Sequence, residues 1–373
     1  MGVDRTTTRV SSRALPLSPV VSNCSLGLKS DYTHWIALQS IQKSTGAVCG
    51  WRDAESGKLS CAYPEITGYA LAYFASLNCP CEHVVGSGKL AASWLVSRLH
   101  GGNFSARDNW DAGAVYNFDI GIIAAGLMLW GRRFRDESCI SLGVALVKGL
   151  RDQIRLFGYL PPLSAFGPSS LRDTTWSTSG NAHLLKVVQC LLLAESYGLE
   201  SSRDAALTLI NGGKREQLPS GCFVTHPGDN EVFLHPLLYA AEGMWIWGTA
   251  ENDRDAVDRA QAVVEWARQH QMKTGGFPRS VFKVGVPSLP IEQSDVTCQV
   301  ARLARCLDDG MPLLDSALER IRQVSWGGEG AGGVLYQPDS GRLDQNTWAT
   351  MFAAQAVQAA ARPRDALSWH ELV

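Results

Sequence analysis

The chain has 373 residues, with 34 Lys and Arg against 36 Asp and Glu, a formal net charge of −2 and 19% charged residues. This even mixture offers no basic face for nucleic acid and no block of like charge, so no nucleic-acid partner is expected. The longest apolar runs carry Glu, His, Lys, Gln or Arg and fall short of a bilayer span, so no membrane partner is expected either.

Residues 1–28 are rich in Thr, Ser, Arg and Pro without a continuous apolar stretch; they read as a disordered leader, and the expected location is cytoplasmic. An amphipathic helix is expected over 31–44, followed by the apolar stretch PEITGYALAYFASL from Pro64. The alternation then repeats. Amphipathic segments at 86–99, 137–157, 202–210, 253–270 and 312–324 precede apolar stretches opening at Phe118, Asn181, His235, Asp295 and Asn346. The six openings are separated by 54, 63, 54, 60 and 51 residues, about one helical hairpin each. Apolar helices of this kind need cover on nearly every side, and the amphipathic series can provide it from outside. The expected fold is all-α: an (α/α)6 toroid of six hairpins with a central pit, one domain over 29–373, with a short helix at 364–371 as a partial plug. An open solenoid or irregular all-α fold is the alternative, but no polar capping repeat is evident at either end.

The ten cysteines do not form a disulfide framework in a chain this large, and Cys190, Cys298 and Cys306 fall inside helices as small buried hydrophobes. Cys79-Pro80-Cys81 is too tight for a thioredoxin-like pair. Cys222, His226, Glu231 and His235 match no metal-binding spacing, so no metal and no cofactor are expected.

In such a ring, the loops entering the inner helices form the mouth of the pit. They supply Trp51, Asp53, Tyr63 and Glu65; Trp110 and Asp119; Arg172, Asp173, Trp176 and His183; His235; Arg279 and Asp295; and Asp344 and Trp348. Aromatic residues beside carboxylates suit a sugar, whose apolar face stacks on a ring while its hydroxyls meet carboxylates, amides and arginines. A small-molecule saccharide or glycoside is therefore the expected partner. The competing reading is helix capping, which suffices for Asn181, Asp295 and Asn346 taken singly.

Capping does not explain Glu65, His235, Tyr239 and Glu242, which enter their helices. His235, Tyr239 and Glu242 lie on one stripe, and Asp295, Gln299 and Arg302 repeat its offsets on the next inner helix. This predicts a buried Glu242–Arg302 pair at the floor, with His235 and Tyr239 nearer the substrate. Glu65 follows Pro64; Gly68 permits close approach, and Tyr69 lies one turn on, beside the carboxylate. Partial desolvation there would fit Glu65 for general-acid work.

The layout and the segment Glu65-Ile66-Thr67-Gly68-Tyr69-Ala70-Leu71 resemble the six-hairpin (α/α)6 glycosidase superfamily, which includes inverting endoglucanase-like and unsaturated-glucuronyl-hydrolase-like enzymes. The local segment is similar to that around the general acid of one endoglucanase-like branch. Asp119, opening the second inner helix, matches an acidic position there. The other loops depart from that branch, so its β-glucan substrate is not carried over. The resemblance implies a glycoside hydrolase with Glu65 as acid and Asp119, then Asp344, as base, across the roughly 6.5–9.5 Å gap of an inverting reaction. Asp173 and Asp295 are further bases, and Arg172, Arg279 or Arg342 could bind a uronic carboxylate. The same architecture hosts epimerases and lyases, for which His235, Tyr239 and His183 supply proton-transfer groups. A non-catalytic carbohydrate-binding or protein-interaction toroid is the third reading. Oligomeric state is not legible.

Overall fold

In this computed structural model the described residues are 31–37, 41–106, 114–164, 175–226, 231–282, 287–307, 313–326, 332–362 and 368–373. In chain order the helices are α1 (Asp31–Ala37), α2 (Pro64–Ser76), α3 (Glu82–His100), α4 (Asn117–Phe134), α5 (Glu137–Phe157), the short α6 (Trp176–Ser179), α7 (Val188–Ser196), α8 (Ser202–Glu216), α9 (Leu234–Glu251), α10 (Arg254–Arg268), α11 (Ser294–Leu307), α12 (Leu313–Gln323) and α13 (Thr347–Ala360). A 3-10 helix, Ala182–Val187, leads into α7.

The inner helices are α2, α4, α7 with its 3-10 entry, α9, α11 and α13. Each packs on the next, and α13 packs on α2 and α1 to close the ring. Composition explains which helix stands where. α4 is buried continuously from Asn117 to Gly131, whereas α5 buries only a stripe that includes Cys139, Leu146, Leu150 and Ile154. α2 and α4 approach each other closely. A Cβ placed on Gly126 would lie 2.1 Å from the Gly68 carbonyl oxygen, and one on Gly68 would lie 2.7 Å from Ile123 Cα. Only glycine permits that approach.

The (α/α)6 toroid is the fold, with local departures from the expected elements. The helix anticipated over 31–44 ends at Ala37 before residues 38–40, which lie outside the described set, and 41–50 is a turn. Gln42 holds that turn by donating to the Gly46 and Ser87 carbonyls at 2.7 and 2.9 Å. The third inner helix begins as a 3-10 segment, without side-chain capping by Asn181.

Six short strands lie in the loops: β1 (Trp51–Asp53), β2 (Glu231–Phe233), β3 (Pro278–Phe282), β4 (Pro287–Glu292), β5 (Val334–Leu335) and β6 (Asp344–Asn346). They form two antiparallel sheets, β1-β6-β5 and β2-β3-β4. The first pairs Trp51 with Asn346 and Asp53 with Asp344, so it joins the loops before the first and last inner helices. The second joins the loops before α9 and α11.

Residues 368–373 cover the C-terminal ends of the inner helices. Lys186 donates to the Leu372 carbonyl at 2.9 Å, and Gln189 donates to those of Trp369 and Leu372 at 3.0 and 2.9 Å. Leu372 and Val373 are buried. Residues 368–371 are turn rather than helix, and 363–367 of the anticipated plug lie outside the described residues. Every cysteine among the described residues is a free thiol. No described helix is long and apolar enough to cross a membrane.

Candidate functional site

The six inner helices start around one cavity of about 620 Å³, closed below by their packed bodies. Their unpaired N–H groups and positive dipole ends point toward it, a setting that stabilises carboxylates in first turns. Glu65, Asp119 and Asp295 occupy such first-turn positions in α2, α4 and α11. All three line the cavity, with only 3%, 7% and 4% of their surface exposed.

Pro64 sets the entry of α2, and Tyr63 at the N-cap leaves Glu65 facing inward. The Trp348 indole N–H donates to both Glu65 oxygens, each at 3.2 Å, fixing the orientation of the carboxyl group. Tyr63 meets Trp348 edge to face, with ring centroids 5.4 Å apart. Trp51, from the strand paired with β6, completes this aromatic wall.

Across the cavity, His235 Nδ1 lies 3.2 Å from Asp295 Oδ2. Gln293 donates to the same oxygen at 3.2 Å, and the Val296 amide donates to Oδ1 at 2.9 Å. Burial lowers the His235 pKa against the pull of Asp295, and burial raises that of Asp295 against the pull of His235. Low polarity thus works against charge separation within the pair. His183 is held neutral, its pKa lowered to about 3 by burial and by His235. Trp176 stands edge-on to both imidazoles, at 5.2 Å from His183 and 6.0 Å from His235.

The floor is aromatic. Tyr239 packs on Phe118 and His235 with centroids 4.8 and 4.5 Å apart, and Tyr69 meets Phe352 edge-on at 5.9 Å. Burial raises the Tyr69 and Tyr239 pKa values, with the Glu65 charge adding to the rise, so both remain hydroxyls at neutral pH. Beneath them Arg302 and Lys186 both contact Glu242, Lys186 at 3.0 Å. The anticipated Glu242–Arg302 pair is therefore present, and Lys186 from the third hairpin is an additional member. Burial lowers the Lys186 pKa to about 8 against the raising effect of Glu242.

Among the anticipated residues, Glu65, Asp119, His235, Tyr239, Asp344, Trp51, Tyr63, Trp176, His183, Arg279, Asp295 and Trp348 line this cavity. Tyr69 lies behind the floor. Asp53 is not part of the lining; its carboxylate accepts from the Ser56 amide and hydroxyl at 2.7 and 2.5 Å, organising a turn. Trp110, Arg172 and Asp173 lie outside the described residues. Asn346 both lines the cavity and caps α13, accepting from the Ala349 amide at 2.8 Å.

Phe118, Phe233 and Gln293 also line the cavity, and none of them is among the residues expected there from the sequence. A signal for one of them was available: Tyr63, Tyr116 and Phe233 are aromatic residues at the N-cap positions of three inner helices. Among the described residues, no group of three or more His, Cys, Asp or Glu is placed to hold a metal ion.

No family model and no curated protein matches the chain. Solved structures do. Unsaturated glucuronyl hydrolase from Bacillus sp. GL1 is similar with a TM-score of 0.63 at 14% identity, covering 89% of this chain and 95% of that one. A D-mannose isomerase is similar with a TM-score of 0.69 at 11% identity, covering 89% and 96%. Cellobiose 2-epimerase from Bacillus thermoamylovorans B4167 is similar with a TM-score of 0.67 at 11% identity, covering 87% and 95%. At these identities the likeness is one of fold: the chain shares the six-hairpin ring of proteins whose names describe sugar hydrolysis, isomerisation and epimerisation.

Proposed function

We propose that this protein is a carbohydrate-active enzyme that admits the end of a saccharide or glycoside into the pit and hydrolyses a glycosidic bond. The observation carrying this reading is Glu65, fixed by the Trp348 indole beside an aromatic wall and sharing one cavity with Asp119. Glu65 protonates the leaving oxygen, and the indole N–H stabilises the carboxylate that remains. Asp119, on the adjacent inner helix, orients and deprotonates water. Trp51, Tyr63 and Trp348 offer faces for the sugar.

A second reading has its own support. The His235–Asp295 contact, with neutral His183 nearby, supplies a base and a second proton carrier for removing and returning a proton next to a sugar carbonyl, as epimerisation or isomerisation requires.

One experiment separates the two. Wild-type protein and the Glu65→Gln, Asp119→Asn and His235→Ala variants are incubated in deuterated water with neutral and uronic oligosaccharides and followed by proton NMR and mass spectrometry. Hydrolysis predicts new reducing ends, with turnover reduced about 10²–10⁴-fold by Glu65→Gln. Deuterium incorporation without cleavage, abolished by His235→Ala, would replace hydrolysis with the second reading.

A further inference from the structure

We infer that the deep half of the pit is a subsite for an uncharged, hydroxyl-bearing sugar ring, with His183, Tyr239 and Gln293 as its specificity-determining hydrogen-bonding groups. The inference rests on the carbohydrate reading above and names the substrate class for the same site.

The first observation is an excess of buried polar atoms lacking protein partners. His183 Nδ1 and Gln293 Oε1 have no hydrogen bond among the described residues, and the Tyr239 hydroxyl interacts with the Tyr69 hydroxyl alone. His183, Gln293 and Tyr239 are 1%, 4% and 1% exposed, and all three line the cavity. More than about 90% of buried polar groups in folded proteins are paired, and each exception is destabilising. Two such exceptions, beside a tyrosine hydroxyl with bonding capacity to spare, mark a place in the cavity where a bound molecule completes the pairing.

The second observation is the type of group. A tyrosine hydroxyl donates and accepts, a neutral imidazole offers one N–H and one lone pair, and an amide oxygen accepts. Sugar hydroxyls, which donate and accept at once, match that mixture. Phe118 and Trp176, packed against Tyr239 and His183 respectively, give the ring's C–H faces apolar contact.

The third observation is the distribution of charge. The deep lining carries Glu65, Asp119 and Asp295, whereas its described cations, Arg279 and Arg342, are both exposed toward the rim. Arg342 is 72% exposed in its side chain and lies 3.4 Å from Asp344. Below the floor, Lys186 and Arg302 are already engaged by Glu242. Among the described residues, a ring bearing a carboxylate or phosphate would therefore meet three acidic groups at depth and no cation there, an arrangement that disfavours binding.

The test is titration of the full chain at pH 7 with methyl glucoside, galactoside, mannoside and N-acetylglucosaminide, and with methyl glucuronide and galacturonide. The same panel is run on Tyr239→Phe, which removes one oxygen, and on His183→Asn, with thermal unfolding as a check of folding. At least one neutral glycoside is expected to bind ten times more tightly than its uronide counterpart. A folded variant is expected to lose at least fivefold in that affinity, and His183→Asn serves if Tyr239→Phe does not fold. Equal or tighter uronide binding, or unchanged affinity in a folded variant, overturns the inference and leaves the carbohydrate reading standing. No binding by any member of the panel overturns both.

Discussion

The two ends of the ring bury polar groups differently. At the end covered by residues 368–373, Glu242 contacts Lys186 and Arg302, Arg302 also donates to Gln355 at 2.9 Å, and Lys186 and Gln189 donate to backbone carbonyls. Around the pit, His183 Nδ1 and Gln293 Oε1 are buried without partners among the described residues, and the cations Arg279 and Arg342 stand near the rim. Charge-paired burial holds a ring shut. Unsatisfied burial around a cavity marks where a ligand belongs. One short segment carries both conditions, since His183 and Lys186 are one turn apart in the 3-10 helix Ala182–Val187.

The largest expected effect tests the closed end. Glu242→Ala leaves Lys186 and Arg302 buried without their carboxylate, and breaking such a cluster costs about 3–5 kcal/mol. Chemical denaturation should show that loss. If Glu242→Ala unfolds with the wild-type midpoint, the cluster does not hold this end together and the contrast between the ends fails.

Much of this contrast was legible in the sequence. The recurrence from Pro64 to Asn346 has the period of a helical hairpin, and the stripe containing His235, Tyr239 and Glu242 predicts both the floor and its arginine. Lys186 was not legible, because a lone lysine in NAHLLKVV reads as a solvent-facing position; only ring closure brings it to Glu242. The strands escaped because pairs such as Trp51 with Asn346 join segments almost the whole chain apart and are too short to show alternation. Asp53 stands among aromatic and charged neighbours in sequence, yet its hydrogen bonds to Ser56 are local, a use of Asp that composition cannot distinguish from ligand binding. Gln293 reads as an ordinary loop amide, because nothing in the sequence two residues before Asp295 marks it as facing the cavity.

The next effect concerns the mouth and depends on pH. His183 has a folded pKa of about 3, below its ordinary 6.5. Above about pH 6.5 it is neutral in both folded and unfolded chains and contributes no pH dependence. As pH falls from 6.5 toward 3, the unfolded chain binds a proton that the folded one refuses, and stability declines by up to about 1.4 kcal/mol per pH unit. The His183→Asn variant should lose this contribution and show a shallower decline than wild type in denaturation across that window. Parallel curves would mean that the imidazole is not held neutral, and the description of the mouth would need a charged group there.

The smallest effect decides on which side of the comparison Asn346 belongs, because it stands at the mouth but is satisfied like a residue of the closed end. Its side chain accepts from the Ala349 amide at 2.8 Å and is buried, and its own position pairs with Trp51 across the sheet that closes the ring. If capping is its whole role, Asn346→Ala should cost about 1 kcal/mol, and Asn346→Asp or Asn346→Ser, which retain an accepting oxygen, should restore most of it. Affinity for a neutral glycoside should then follow the folded fraction and not change separately. A loss of affinity in a fully folded Asn346→Ala protein, unrescued by serine, would move Asn346 into the ligand-binding set. One side chain would then both start the last inner helix and meet the sugar.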